Sequence, residues 1–185
     1  APRLGDRITV VGAGMIGCSI ARLARGILGA EVVLVDVDPS RAAVAAALGV
    51  GFAAPEDAAG ESDIVIDASG TAGGLQSALR LAATDGEVIV ASWFGDQPVL
   101  LELGADFHSR RVSIRSSQVG AVARARRARR TTRQRLELAL SLLADPAFDA
   151  LLSANSPWTE LPAVMSSIAD GSADGVCHTI DWTPS

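Results

Sequence analysis

Three glycines at positions 12, 14 and 17, and a carboxylate at position 36, are the residues whose types and spacing have chemical meaning in this chain. The run Ile8-Thr9-Val10-Val11-Gly12-Ala13-Gly14-Met15-Ile16-Gly17 takes a β-branched strand into a glycine-rich turn. Gly12 permits a tight turn, Gly14 lets main-chain N–H groups approach a pyrophosphate, and Gly17 lets the following helix pack closely on a sheet. A helix opening at Ala13 offers unpaired N–H groups and its positive dipole end to phosphates. Asp36 closes the next apolar run, Val32-Val33-Leu34-Val35, 19 residues after Gly17. There a carboxylate hydrogen-bonds an adenosine ribose diol. This context on both sides points to a dinucleotide site rather than to an incidental turn in a chain of 18 glycines. A carboxylate pairs with a free 2′-hydroxyl and repels a 2′-phosphate, so NAD is favoured over NADP. Arg41 tempers that preference, because a guanidinium there could partly accommodate the phosphate.

Such a site needs a parallel sheet to carry it. Short β-branched runs alternate with Ala/Leu-rich stretches, the pattern of βαβ units buried on both faces. Strands are predicted at residues 8–11, 31–35, 50–52, 64–67, 87–91 and 112–116, with helices at 15–28, 40–47 and 74–83. The second helix is bounded by Asp38-Pro39-Ser40 and by Leu48-Gly49, where glycine can turn left-handed. The expectation is an α/β, doubly wound, parallel-sheet Rossmann fold over residues 1–120, followed by a C-terminal helix and strand extension over 121–185.

In that extension Arg124, Arg126, Arg127, Arg129, Arg130, Arg133 and Arg135 crowd together. They read as a solvated loop and helix start, the alternative being a phosphate or polyanion patch. An amphipathic helix is expected at 133–144 with Leu136, Leu140 and Leu143 on one stripe, then a loop at 155–158, a short helix from 159 to 169 and a strand at 176–182.

A chain of 185 residues, 49% hydrophobic and 20% charged, has room for one substantial core. Its formal charge of −5 argues against nucleic acid or an anionic membrane as a general partner. Two cysteines make neither a disulfide framework nor a zinc cluster, and the first thirty residues have no signal-peptide pattern, so a cytoplasmic location is expected.

Taken together, these segments resemble the cofactor-binding half of the medium-chain, zinc-type alcohol dehydrogenase family. The residues that carry the resemblance are Leu4-Gly5-Asp6-Arg7, Val11-Gly12-Ala13-Gly14-Met15-Ile16-Gly17 and Asp36-Val37-Asp38-Pro39-Ser40-Arg41. It continues through Asp63-Ile64-Val65-Ile66-Asp67-Ala68-Ser69-Gly70, Ile114-Arg115-Ser116-Ser117-Gln118-Val119-Gly120 and Glu160-Leu161-Pro162. Phe107-His108-Ser109-Arg110-Arg111 is similar to a bacterial subgroup. The resemblance implies that Gly12, Gly14, Met15, Ile16 and Gly17 line the pyrophosphate and that Asp36, with Val37 and Arg41 beside it, holds the ribose. It implies that Ala68, Ser69 and Gly70 pass under the cofactor and that Ser92, Ser116 and Gln118 meet the nicotinamide amide.

It further implies reversible alcohol–carbonyl hydride transfer on a small-molecule substrate and a homodimer built through residues 98–103 and the sixth strand. In the family a separate N-terminal domain supplies the catalytic zinc. Cys18, Cys177, His108 and His178 lack the spacing of three zinc ligands, so no catalytic or metal residue is assigned. The chain is expected to be a fragment or truncated relative, inactive alone in alcohol oxidation. The alternative is a stand-alone NAD-binding regulatory or sensor domain.

Among single residues, Cys18 is expected in the core, and His108 in a connecting segment at the surface or a subunit contact. Cys177 and His178 are expected on opposite faces of a strand. Trp93 and Phe94 either wall the hydride-transfer site or cap the sheet.

Overall fold

The computed structural model describes residues 2–183, apart from the side chain of Ala105. Six strands, β1 (Arg7–Val11), β2 (Glu31–Val35), β3 (Gly51–Ala53), β4 (Ser62–Asp67), β5 (Ala82–Val90) and β6 (Ser113–Ser116), form one sheet. They run parallel in the order β3-β2-β1-β4-β5-β6. The winding direction reverses between β1 and β4, and a sheet of this topology opens a crevice beyond the carboxyl ends of those two strands.

Side-chain alternation along each strand builds two apolar layers. Ile8, Val10, Val32, Leu34, Ile64 and Ile66 pack with Cys18 and Ala21 of α1 (Met15–Arg25) and with Ala45 and Leu48 of α2 (Arg41–Leu48). Val11, Val35, Val65 and Val88 pack with Leu75, Ala78 and Leu79 of α3 (Ala72–Leu81). Thr9 and Ser62 are buried between the strands, and their hydroxyls satisfy each other at 2.8 Å. Gly49 ends α2 at φ +72°, a left-handed stop that glycine adopts without steric cost. Thr71 caps α3, its Oγ1 accepting from the Gly74 N–H at 3.0 Å.

Phe148 and Leu151, on a 3-10 segment at Pro146–Leu151, are buried in the first layer. Arg22 fastens that segment: its Nε donates to Asp145 Oδ2 at 2.7 Å while its Nη1 donates to the Leu48 carbonyl at 3.0 Å. The Ala147 N–H and the Arg22 guanidinium hold the Asp145 carboxyl below the usual carboxylate range.

Several boundaries differ from the sequence expectation. The first helix stops at Arg25, where Gly26 caps it, rather than at 28. Residues 82 and 83, expected in a helix, begin β5, because Ala82 is fully buried beside its sheet partner Ser62; burial overrides the helical preference of alanine. The segment holding His108 is a short helix, α4 (Ala105–Ser109). The helix expected at 133–144 is α5 (Thr132–Leu142), opened by a reciprocal Thr131–Gln134 cap. None of its residues is buried, so its leucines form no core-facing stripe. Residues 152–157, expected partly as a loop, form β7 (Leu152–Pro157), which pairs in parallel with β8 (Cys177–Asp181). The connection between them passes through a 3-10 turn at Trp158–Glu160 and α6 (Leu161–Ala169). Trp158 and Trp182 stack there with ring centroids 6.4 Å apart.

Candidate functional site

Register brings the site residues to one edge. Val35, Val11, Asp67, Val90 and Ser116 stand opposite one another across β2, β1, β4, β5 and β6. The residues just past this row, Asp36, Gly12, Ala68, Ser92 and Gln118, therefore emerge along the same rim. Main-chain bonds lock the exits: Gly12 N–H to the Val35 carbonyl, Ala68 N–H to Val11, and Ser117 N–H to Val90, each at 2.8 Å.

The glycines do different physical work. Gly12 has φ +99°, and a Cβ there would lie 2.7 Å from the Ala68 carbonyl oxygen and the Ser69 Cα. A Cβ on Gly17 would lie 1.8 Å from the Gly12 carbonyl oxygen, so α1 crosses the turn at backbone contact. Gly14 differs from both. It is exposed, nothing stands within 4 Å of its missing Cβ, and it begins α1 without a side-chain cap. The first-turn N–H groups of Met15, Ile16 and Gly17 have no acceptor within the helix. They form a cradle open to an anionic group at a positive helix end.

Asp36, partly buried, is fixed between that turn and its own loop. Its Oδ2 accepts from the Ala13 N–H at 2.6 Å and its Oδ1 from the Asp38 N–H at 2.9 Å. Arg41 is engaged elsewhere, pairing through Nε with Asp38 Oδ2 at 3.1 Å. Val37 is exposed at the rim.

Under the turn, Asp67 Oδ1 accepts from Ser69 N–H and Oγ at 3.1 and 2.7 Å, and the Gly70 N–H donates to Ser92 Oγ at 2.8 Å. Asp67 is fully buried, and its Oδ2 is the buried side-chain oxygen left without a partner among the described residues. Sequence reasoning quoted Asp67 within a motif but gave it no role. The missed signal was the one that drew attention to Asp36: a carboxylate closing an otherwise apolar strand. Ala13, expected to open the helix with its N–H free for phosphate, instead donates that N–H to Asp36 Oδ2, and the helix opens two residues later at Met15. Ser116 and Gln118 are exposed at the end of β6.

Cys18 lies in the core as expected, with burial pushing its thiol up to about 11. Phe94 packs against the second apolar layer, whereas Trp93 stands 88% exposed. His108 is exposed on α4, and His178 Nε2 lies 3.1 Å from Ser156 Oγ. Among the described residues no three His, Cys, Asp or Glu side chains converge as metal ligands, so this set does not fit a catalytic zinc. A hollow of about 440 Å³ bounded by residues 25–30 and 49–51 lies at the amino ends of β2 and β3, and no carboxylate, histidine or cysteine lines it.

A doubly wound parallel sheet with a glycine turn at its switch point and a carboxylate closing the neighbouring strand defines a Rossmann-type domain of the dehydrogenase kind. The chain belongs to the zinc-binding dehydrogenase family, whose profile matches residues 14–134. It corresponds to the cofactor-binding portion of the zinc-type medium-chain alcohol dehydrogenases. Among solved structures, L-idonate 5-dehydrogenase from Escherichia coli is similar at 21% identity and a TM-score of 0.76, covering 97% of this chain and 51% of that one. A short chain alcohol dehydrogenase from Escherichia coli, solved with NADH, is similar at 17% identity and 0.73, covering 97% and 52%. A zinc-binding dehydrogenase from Sinorhizobium meliloti bound to NADP is similar at 23% and 0.67, covering 89% and 49%. These likenesses show the fold, and the chain spans about half the length of those proteins. A curated relative, S-inosyl-L-homocysteine hydrolase of Methanopyrus kandleri, is 47% identical over 66 residues, 36% of this chain and 15% of that protein.

Proposed function

We propose that this chain holds and orients NAD(H) for an alcohol–carbonyl oxidoreductase acting on a small molecule. The observation that carries this is the Asp36 carboxylate bonded at 2.6 Å to the Ala13 N–H, next to the open cradle of Gly14. In this reading Gly12, Gly14, Met15, Ile16 and Gly17 receive the pyrophosphate. Asp36, beside Val37, accepts from the adenosine ribose diol. Asp36 lies where a 2′-phosphate would sit, and Arg41, occupied by Asp38, is not free to offset that repulsion. Ala68, Ser69 and Gly70 floor the crevice, and Ser92, Ser116 and Gln118 lie at the nicotinamide end. The bound nicotinamide supplies the hydride-accepting carbon. The protein's part is to fix the ring against the β4 and β5 exits and to shield one of its faces.

The division at residue 120 and a homodimer paired through the β6 edge belong to the same proposal. Residue 1 and residues 184 and 185 of that division lie outside the described residues. No helix among the described residues is long and apolar enough to cross a membrane.

Thermal unfolding tests the cofactor reading. Free NADH at a hundred times its Kd stabilises a binding-competent domain by about 2.7 kcal/mol. A melting temperature unmoved by millimolar NADH or NADPH contradicts it. For the dimer, sedimentation at tens of micromolar is decisive, and a monomer there refutes it.

A further inference from the structure

The arginine-rich stretch has a property that its composition alone did not settle. Seven arginines lie between positions 124 and 135, and no acidic residue occurs between Asp106 and Glu137. The other nine arginines face all 21 acidic residues, so the rest of the chain carries −12. Outside the stretch, Arg7, Arg22, Arg41, Arg110, Arg111 and Arg115 are ion-paired. Within it, Arg133 pairs with Glu137 and Arg135 donates to the carbonyls of Ala121 and Val119. Arg124, Arg126, Arg127, Arg129 and Arg130 are exposed and, among the described residues, have no side-chain partner.

The same stretch has a defined attachment. Arg135 ties it to the turn that follows Ser116 and Gln118, at the rim where β6 ends. The Arg126 and Arg127 N–H groups both bond to the Ala123 carbonyl, at 2.8 and 3.0 Å, and Arg129 N–H bonds to Arg126 at 2.9 Å, curling the arginines into consecutive turns. Like charges this dense along the chain repel one another, and each guanidinium fork matches two phosphate or carboxylate oxygens.

We propose that Arg124, Arg126, Arg127, Arg129 and Arg130 form an anion site at the rim of the crevice. It takes a compact small molecule bearing several phosphate charges and so makes a phosphorylated alcohol or carbonyl compound the substrate class. The substrate clause rests on the function proposed above; the anion site does not. Seven residues span at most about 25 Å; a ligand that extends more than about 8 Å beyond the patch leaves its attraction at physiological salt, and the rest of the chain it then meets carries a net −12. A short polyanion fits this field and a nucleic-acid strand does not.

The test is calorimetry with inorganic tripolyphosphate on the whole chain at 50 and 200 mM salt. The comparison is a variant with Arg124→Ser, Arg126→Ser, Arg127→Ser, Arg129→Ser and Arg130→Ser, which removes no observed side-chain contact. The expected result is one tripolyphosphate per chain, weaker at the higher salt, and at least about tenfold weaker in the variant. Thermal unfolding midpoints of the two proteins should agree, because the substitutions remove no side-chain contact, and NADH binding should persist in the variant. Equal tripolyphosphate binding by the variant overturns the proposal, as does tighter binding of a twenty-nucleotide single-stranded RNA. Self-association that salt and the variant both abolish also overturns it, in favour of a second copy's acidic face. If neither protein binds NADH while the tripolyphosphate result holds, the crevice reading fails and the anion site stands.

Discussion

Gly17 rests directly on Gly12: a Cβ at position 17 would stand 1.8 Å from the Gly12 carbonyl oxygen. The backbone must move to admit even a methyl group, so Gly17→Ala is expected to destabilise the fold by at least about 2 kcal/mol. Gly14→Ala meets no atom within 4 Å and should change stability by no more than about 0.5 kcal/mol. It should nevertheless weaken NADH binding about tenfold or more, because the methyl group occupies the approach to the pyrophosphate. Urea titrations of both variants, with NADH affinities, check the pair. Equal stability losses would mean that the two glycines serve one packing purpose.

Asp67 should matter through the loop it holds. Asp67→Ala leaves the Ser69 N–H without its buried acceptor, at a cost of about 1–3 kcal/mol, with a cavity loss added. Ser92→Ala, which removes the acceptor for Gly70, should cost about 1 kcal/mol and weaken NADH binding by a similar amount. Denaturant midpoints and NADH titrations of the two variants decide this. An Asp67→Ala protein as stable as the parent would remove the carboxylate from the account.

Cys18 makes an alkaline prediction. Burial raises its thiol from 9.0 to about 11, so the unfolded chain releases the proton first. The protonated thiol's contribution is fully present below about pH 9 and is lost as pH rises toward 11, by up to about 2–3 kcal/mol. Cys18→Ala should flatten that window. A parent whose stability stays constant from pH 9 to 11 rules it out.

Phe148→Ala should destabilise the domain by about 3 kcal/mol or more, because the ring is buried in the layer formed by α1, α2 and the sheet. Separate unfolding of the residues after 120, with the sheet intact, would contradict the packing seen.

Much of this was readable in the sequence because parallel sheets announce themselves through apolar runs. Ile64–Ile66 and all of Val32–Val35 but the half-buried Val33 are buried, and their closing carboxylates stand out. The glycine spacing was informative for the same steric reasons that the Gly12–Gly17 contact makes visible. What the sequence did not show depends on neighbours distant along the chain. Ala82 becomes strand because Ser62 lies beside it, and β7 exists because residues some 25 positions later pair with it. The leucines of α5 obey a helical period, yet none is covered, since periodicity records a face and not what packs on it.

The central claim, that Asp36 and the glycine turn make a site selective for NAD(H), is tested most directly by calorimetric titration with NADH and NADPH, using Asp36→Ala as the control. The expected result is NADH binding at least about tenfold tighter than NADPH, with the substitution weakening NADH by about 1.5–3 kcal/mol and narrowing the gap. Equal affinities, or an Asp36→Ala variant that binds NADH as the parent does, would contradict it.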